Sequence, residues 1–271
     1  MDARLQRRVQ RYGWDKASGC YEEFWQEQLG PARDRLLEMA ALRPGESALD
    51  IACGTGLVSF EALDILGPDG YLLGTDISER MVEKATAIAA ELDVHNVRFQ
   101  WMDAEDLQAD DSNFDVAICS LGLMYIPDPR KALEEMRRVL RPGGRAVCSV
   151  WGPRESCGWA ELFEIVDRNV ASEVCPMFFQ LGRPEMLELT FKAAGFAGVA
   201  VSRIATQLLY RDDREALGAA FEGGPVALAY HKFSDAVKDT VHADYLASIA
   251  QYRRDDGYAI PGEFVIARGE R

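Results

Sequence analysis

Between Arg43 and Trp151 short apolar runs alternate with longer segments whose apolar residues recur every three or four positions. The runs SALDIA, YLLGTD, VRFQWMD, FDVAICS and RAVCSVWG read as strands. GLVSFEALDIL, ERMVEKATAIAAELD and RKALEEMRRVLR carry the helical period. Gly67-Pro68 ends the first of these helices, Ser78 is placed to cap the second, and Pro142-Gly143-Gly144 closes the third. Strands alternating with helices of about 10–15 residues predict an α/β domain, a parallel sheet with helices on both faces.

The flanks are less regular. Residues 3–42 read as helical throughout, with a basic first piece, ARLQRRVQRY, followed by the aromatics Tyr12, Trp14, Tyr21, Phe24 and Trp25. Those rings either pack the helices onto the domain or close over a ligand. Beyond Trp151, WAELFEIVDRNV and PEMLELTFKAAGF predict helices and AGVAVSRIATQLLY a long strand. Residues 212–255 are mostly helical in pattern, and GEFVIARG reads as a closing strand.

The stretch ALDIACGTG runs a strand into a glycine turn that opens a helix, a preparation for an adenosine-bearing cofactor. Two cofactors compete for it. Gly54 and Gly56 followed by Ser59 approximate the dinucleotide fingerprint, with Asp76 roughly 20 residues on at a strand end. Ser59 stands where that fingerprint wants a third glycine, however, and Asp50 would face an anionic pyrophosphate. S-adenosylmethionine carries no phosphate and is cationic at its sulfonium and ammonium, so Asp50 is tolerable there. Asp76 could accept from both ribose hydroxyls, at about 1.5–3 kcal/mol for each bond to a charged acceptor. Its plain structural alternative is a carboxylate at a helix N-terminus beside Ser78.

Charge narrows the partners. A net charge of -14 spread along the chain argues against nucleic acid, and no run approaches the length of a membrane span. The six cysteines form no CxxC pair, which points to a reducing, cytoplasmic setting rather than a disulfide framework. No metal-ligand spacing is visible.

LDIACGTG, GTDIS, MDAEDL, FDVAICSLGLMYIPD and ALEEMRRVLRPGG occur in order over about residues 44–152. Together they resemble the class I S-adenosylmethionine-dependent methyltransferases, nearest the type 11 branch that includes the ubiquinone and menaquinone C-methyltransferases. The resemblance implies a Rossmann-like doubly wound sheet of about seven strands, the last antiparallel. It further implies a helical N-terminal cover (1–42), a cofactor-binding core (43–152), and a remainder (153–271) with a helical acceptor lid at about 212–255. S-adenosylmethionine would be the cofactor, leaving as S-adenosylhomocysteine, and a small molecule would be the acceptor.

Carried over by position, Asp50, Ala52, Gly54, Thr55 and Gly56 would serve the methionine and ribose side. Asp76 would take the ribose, Ile77 the adenine face, Asp103 and Ala104 the adenine edge, and Ser120 the methionine end. The family has no universal catalytic residue, so acceptor-side candidates come from the variable parts: Tyr125 and His231, with Tyr12, Trp14 and Tyr21 as cover. His95 reads as structural, and His242 is a lesser candidate. The apolar run CPMFFQLG (175–182) and the 212–255 insert suit a small apolar or aromatic acceptor. A nicotinamide-dependent oxidoreductase and a non-catalytic S-adenosylmethionine-binding protein are the alternatives. Oligomeric state and the methylated atom are not encoded in any motif.

Overall fold

A computed structural model describes residues 3–169, 178–255 and 257–271. Its sheet runs in the order β3-β2-β1-β4-β5-β8-β6. The strands are β1 (Ser47–Ile51), β2 (Tyr71–Asp76), β3 (Val97–Trp101), β4 (Phe114–Ser120), β5 (Leu140–Trp151), β6 (Ala197–Tyr210), β7 (Arg253–Arg254) and β8 (Gly257–Glu270). From β3 to β5 all pairings are parallel, whereas β8 lies antiparallel to both β5 and β6. The two-residue β7 pairs only with β8. Leu49, Ile51, Val116, Ile118 and Val147 are fully buried, as a sheet covered on both faces requires.

β1 is flanked by β2 on one side and β4 on the other, so the strand order reverses there. In open α/β sheets this reversal opens a crevice beyond the carboxyl ends of the strands, where ligands bind. The helices Leu57–Leu66 and Glu79–Glu91 follow β1 and β2, the second capped by Ser78, whose hydroxyl accepts from the Met81 amide at 3.1 Å.

The sequence expectations shift in two places. Residues 3–42 form three helices, Ala3–Ala17, Tyr21–Trp25 and Gly30–Ala40, broken around Gly19 and again before Gly30. The helix Pro129–Val139 stops before Leu140, and Pro142-Gly143-Gly144 lies inside β5 rather than closing that helix. Phe114 already pairs with Leu140, the register then shifts, and Gly143 takes the left-handed φ of 80° needed at that irregularity.

Between β6 and β8 the insert contributes Asp213–Leu217, a π-helical turn at Gly218–Glu222, Ala227–Tyr230 and Asp235–Ile249. The N-terminal cover docks on it. A Cβ at Gly218 would come within 2.2 Å of Phe24, so only glycine lets the ring seat there. Among the described residues no helix is long and apolar enough to cross a membrane.

Candidate functional site

The turn after β1 is the floor of the site. Ala52, Gly54 and Gly56 have φ of 54°, 56° and 94°, all left-handed. Glycine adopts such values freely, whereas Ala52 holds one under strain, as does Leu121 (φ 55°) at the end of β4. A Cβ on Gly122 would lie 2.4 Å from that of Ala52, so the two strand ends approach at a position only glycine permits.

Asp76 ties the turn together. Its Oδ2 accepts from the Gly54 amide at 2.9 Å and its Oδ1 from the Ser78 amide at 2.8 Å. The helix-terminus role and the ligand role therefore fall on one carboxylate, because each oxygen keeps a further lone pair. Burial pushes its pKa up to about 6, against the pull of the Ser78 and Gly54 amides.

A cavity opens beside this carboxylate. At its polar end it is lined by Ala52, Gly54, Asp76, Ile77, Asp103, Ala104 and Ser120. Asp50, Thr55 and Gly56, expected on the cofactor side, are not among the residues that line it. Asp50 turns beneath the loop, where its Oδ2 accepts from the Ser59 hydroxyl at 2.6 Å and Oδ1 has no partner. Burial pushes its pKa up to about 7. Thr55 is buried behind the turn, and Gly56 serves as the N-cap of Leu57–Leu66.

The N-terminal helix roofs the polar end. Arg7, Gln10 and Trp14 reach the cavity. Arg7 Nε lies 2.8 Å from Asp103 Oδ2 and its Nη2 2.5 Å from Glu105 Oε2. Asp103 also accepts from the Glu105 amide at 3.0 Å. Asp15 fastens the same helix by accepting from the Ser78 hydroxyl at 2.6 Å.

Trp14, Tyr21 and Tyr125 line the cavity, and the Trp14 and Tyr125 rings meet edge to face with centroids 5.2 Å apart. Tyr12 and His231 do not. Tyr12 is 46% exposed, its ring beneath the Arg11 guanidinium at 5.7 Å. His231 is exposed at the C-cap of Ala227–Tyr230, on the outer side of the insert. His242 packs away from the cavity, its Nε2 3.0 Å from the Tyr230 hydroxyl. His95 is exposed beside Asp93.

Past Tyr125 the wall becomes aromatic. Phe178 meets Tyr125 with ring centroids 5.3 Å apart, and Trp159 meets both Phe178 (5.7 Å) and Trp151 (5.1 Å). Trp25, Tyr210 and Tyr245 complete this half, together with Leu29, Leu162 and the insert residues Ala219, Ala220, Gly224 and Pro225. Phe178 belongs to the run read as pocket-forming; residues 175–177 of that run, including Cys175, lie outside the described residues. Arg7, Gln10, Trp151, Trp159, Tyr210 and Tyr245 carry no sequence signal that marks them as site residues. No group of three or more His, Cys, Asp or Glu side chains among the described residues is arranged to hold a metal ion.

The polar end suits a phosphate-free adenosyl cofactor. Among the described residues two carboxylates border it, Asp76 with lone pairs to spare for a ribose, and the one cavity-lining guanidinium, Arg7, is already paired with carboxylates. A pyrophosphate would meet that negative wall unaided.

Comparison with known proteins agrees. A family model described as a methyltransferase domain matches residues 42–179. A demethylmenaquinone methyltransferase of Listeria monocytogenes is 32% identical over 168 residues, which span 62% of this chain and 70% of that protein. Among solved structures, the YcgJ protein of Bacillus subtilis superposes with a TM-score of 0.58 at 22% identity, covering 89% of this chain and 98% of the other. A Haemonchus contortus phosphoethanolamine N-methyltransferase in complex with S-adenosyl-L-methionine gives a TM-score of 0.63 at 19% identity, over 95% of this chain and 57% of that one. The two superpositions concern the fold; the family match, with the Listeria relative, identifies the chain as a member of the class I S-adenosylmethionine-dependent methyltransferases.

Proposed function

We propose that this methyltransferase acts on a small, uncharged acceptor of aromatic or apolar character, bound in the aromatic half of the cavity. The observation that carries this reading is the wall itself. From Tyr125 onward, the described lining residues include Trp25, Trp151, Trp159, Phe178, Tyr210 and Tyr245 and no charged side chain. A charged acceptor would lose its hydration there without compensation.

When bound, S-adenosylmethionine supplies an electrophilic methyl group on a sulfonium sulfur. The chain's own contribution is placement. Asp76 would accept from the ribose hydroxyls, the Ala52–Gly54 turn would admit close backbone approach, and Asp103 with Ala104 would meet the adenine edge. Ile77 would lie against the adenine face, with Ser120 at the methionine end. Tyr21 and Tyr125 would stand at the border of the two halves, Trp14 would roof it, and the aromatic wall would keep water out. Orientation and water exclusion of this kind can supply much of a transfer rate without a general base. In this reading residues 1–42 are the cover, 43–152 the cofactor core, and the insert at about 212–255 the acceptor lid of the segment 153–271.

Arg7 joins the cofactor residues in this reading. Arg7→Ala leaves the Glu105 carboxylate, whose side chain is 4% exposed, without its cation and loosens the roof. S-adenosylmethionine affinity is expected to fall about tenfold, the loss of a hydrogen-bonded charge partner, as read by calorimetric titration. Unchanged affinity would remove the N-terminal helix from the cofactor site.

The acceptor reading is tested by incubating the protein with S-adenosylmethionine and a panel of small metabolites. A mass gain of one methyl, with S-adenosylhomocysteine released, should occur on uncharged aromatic compounds. Transfer confined to amines, carboxylates or phosphates would overturn it.

A further inference from the structure

Gln10, on the helix Ala3–Ala17, is only 7% exposed and lines the cavity. Its carboxamide makes no hydrogen bond among the described residues. Nor is it sealed in: the enclosed unpartnered atoms include the indole nitrogens of Trp25 and Trp159 but no atom of Gln10. The amide therefore keeps an open surface, and a side chain this buried turns that surface to the cavity it lines. Three other side-chain amides show the usual outcome. Gln6 Nε2 donates to the Tyr125 carbonyl at 3.3 Å, and Asn96 Nδ2 to the Gly67 and Gly70 carbonyls at 3.0 Å. Gln28 closes on both the amide and the carbonyl of Leu209, at 2.8 and 2.5 Å. Polar groups as buried as Gln10 almost always have such partners, so a bare carboxamide aimed into a binding cavity calls for one.

Neighbours on the helix fix where this amide stands. Arg7, one turn earlier, meets Asp103 and Glu105, whereas Trp14, one turn later, meets the rings of Tyr21 and Tyr125. Gln10 thus lies over the ground between the end of β3 and the segment after β4. A helical side chain leans back over the turn N-terminal to its own Cα, here toward Arg7 and Asp103 rather than toward Trp14. A carboxamide offers a donor and an acceptor side by side. Adenine presents the complementary pair along its N6–N7 edge, an amine hydrogen beside a ring nitrogen, and glutamine can bond that edge with both groups at once. With N1 and the other N6 hydrogen met by Ala104 and Asp103, this is the edge of the base left to recognise.

We infer that Gln10 is a cofactor-specificity residue whose carboxamide reads the N6–N7 edge of adenine, Oε1 accepting from N6 and Nε2 donating to N7. The inference rests on the proposed position of adenine at Asp103 and Ala104. It makes the N-terminal helix a reader of the base as well as a roof. A purine with a carbonyl at position 6 would set that oxygen against the acceptors Asp103 and Gln10 Oε1 together, so the two residues reject it jointly.

Three ligands test this by calorimetric titration into the full chain: S-adenosylhomocysteine, its 7-deaza analogue, in which N7 becomes C–H, and its 6-deamino analogue, in which the N6 amine becomes hydrogen. Wild type is expected to bind the 7-deaza analogue about tenfold more weakly than the parent, the cost of leaving a buried hydrogen-bond donor unsatisfied. In Gln10→Met, which keeps the length of the side chain and loses both polar groups, that gap should close to less than about twofold, the signature of a direct coupling. Gln10→Glu keeps an acceptor for N6 but has no donor for N7, so it should reverse the preference in favour of the 7-deaza ligand. A structural role alone would weaken both ligands alike and leave their ratio unmoved. Equal wild-type affinity for parent and 7-deaza analogue, or a gap that persists undiminished in both variants, would overturn the role of Gln10. A 6-deamino analogue that binds wild type as tightly as the parent would instead remove adenine from Asp103, the placement on which the inference stands.

Discussion

Asp76→Ala is expected to weaken S-adenosylmethionine binding by about 2–4 kcal/mol, the worth of one to two hydrogen bonds to a charged acceptor. The carboxylate has two duties. Besides facing the cavity it fixes the Gly54 and Ser78 amides at 2.9 and 2.8 Å, so its removal frees the turn and the start of the next helix together. Asp76→Asn should recover little, because the amide nitrogen must confront one of those two N–H groups. Binding should also weaken with acid. With burial holding the Asp76 pKa at about 6 in the unliganded protein, a ribose-bound carboxylate must first lose its proton at lower pH. Affinity should be full above about pH 7 and decline by up to about tenfold per unit below pH 6. Titrations at about pH 5 and pH 8 check this; a flat profile would mean that Asp76 does not bind the cofactor as an anion.

The second large effect concerns stability. Asp50 is fully enclosed, one oxygen held by Ser59 and the other unpartnered, and its pKa is pushed up to about 7 from an ordinary 3.8. A carboxyl whose folded-state pKa lies above its unfolded value lends stability below the unfolded pKa and loses it as pH rises through the folded one. Asp76 acts in the same direction. The unliganded protein should therefore lose stability between about pH 4 and pH 8, by at most roughly 4 kcal/mol from Asp50 at about 1.4 kcal/mol per pKa unit. The Arg-paired carboxylates Glu46 and Glu135, held below the usual range, act with the opposite sign and only in more acidic solution. Asp50→Asn keeps the Ser59 bond through its carbonyl and cannot ionise. Its urea midpoint should exceed that of wild type at pH 8 and match it more closely near pH 5. A variant less stable than wild type at pH 8 would show that the charge is needed where it lies.

The strand and helix periods, the glycine turn and the carboxylate ending β2 were legible because each leaves a local mark. What escaped was non-local or hidden by burial. Leu49, Asp50 and Ile51 are all buried, so β1 shows no in-and-out alternation and nothing local reveals that Asp50 turns toward Ser59. Tyr12 and Trp14 could not both face a ligand, since residues two apart on a helix point in nearly opposite directions. Trp14 faces inward. Arg7 meets its acidic partners, Asp103 and Glu105, only across the folded chain, and nothing local in the basic piece ARLQRRVQRY sets it apart from its neighbouring arginines. Trp151 with Trp159, Tyr210 and Tyr245 come together from three separate stretches of the chain; each alone is indistinguishable from ordinary core. The Pro142-Gly143-Gly144 segment has the composition of a helix stop, yet strand pairing between Phe114 and Leu140 claims it.

The most direct measurement is a crystal structure of the protein with S-adenosylhomocysteine. The account predicts both ribose hydroxyls on Asp76, adenine between Ile77 and the Arg7–Asp103 pair, and the sulfur beside Tyr21 and Tyr125. The space where a transferable methyl would stand should open into the aromatic half, leaving room for an acceptor atom about 3–3.5 Å away. A sulfur turned toward solvent or the N-terminal helix, or a ribose held away from Asp76, would contradict the division of this cavity into a cofactor half and an acceptor half.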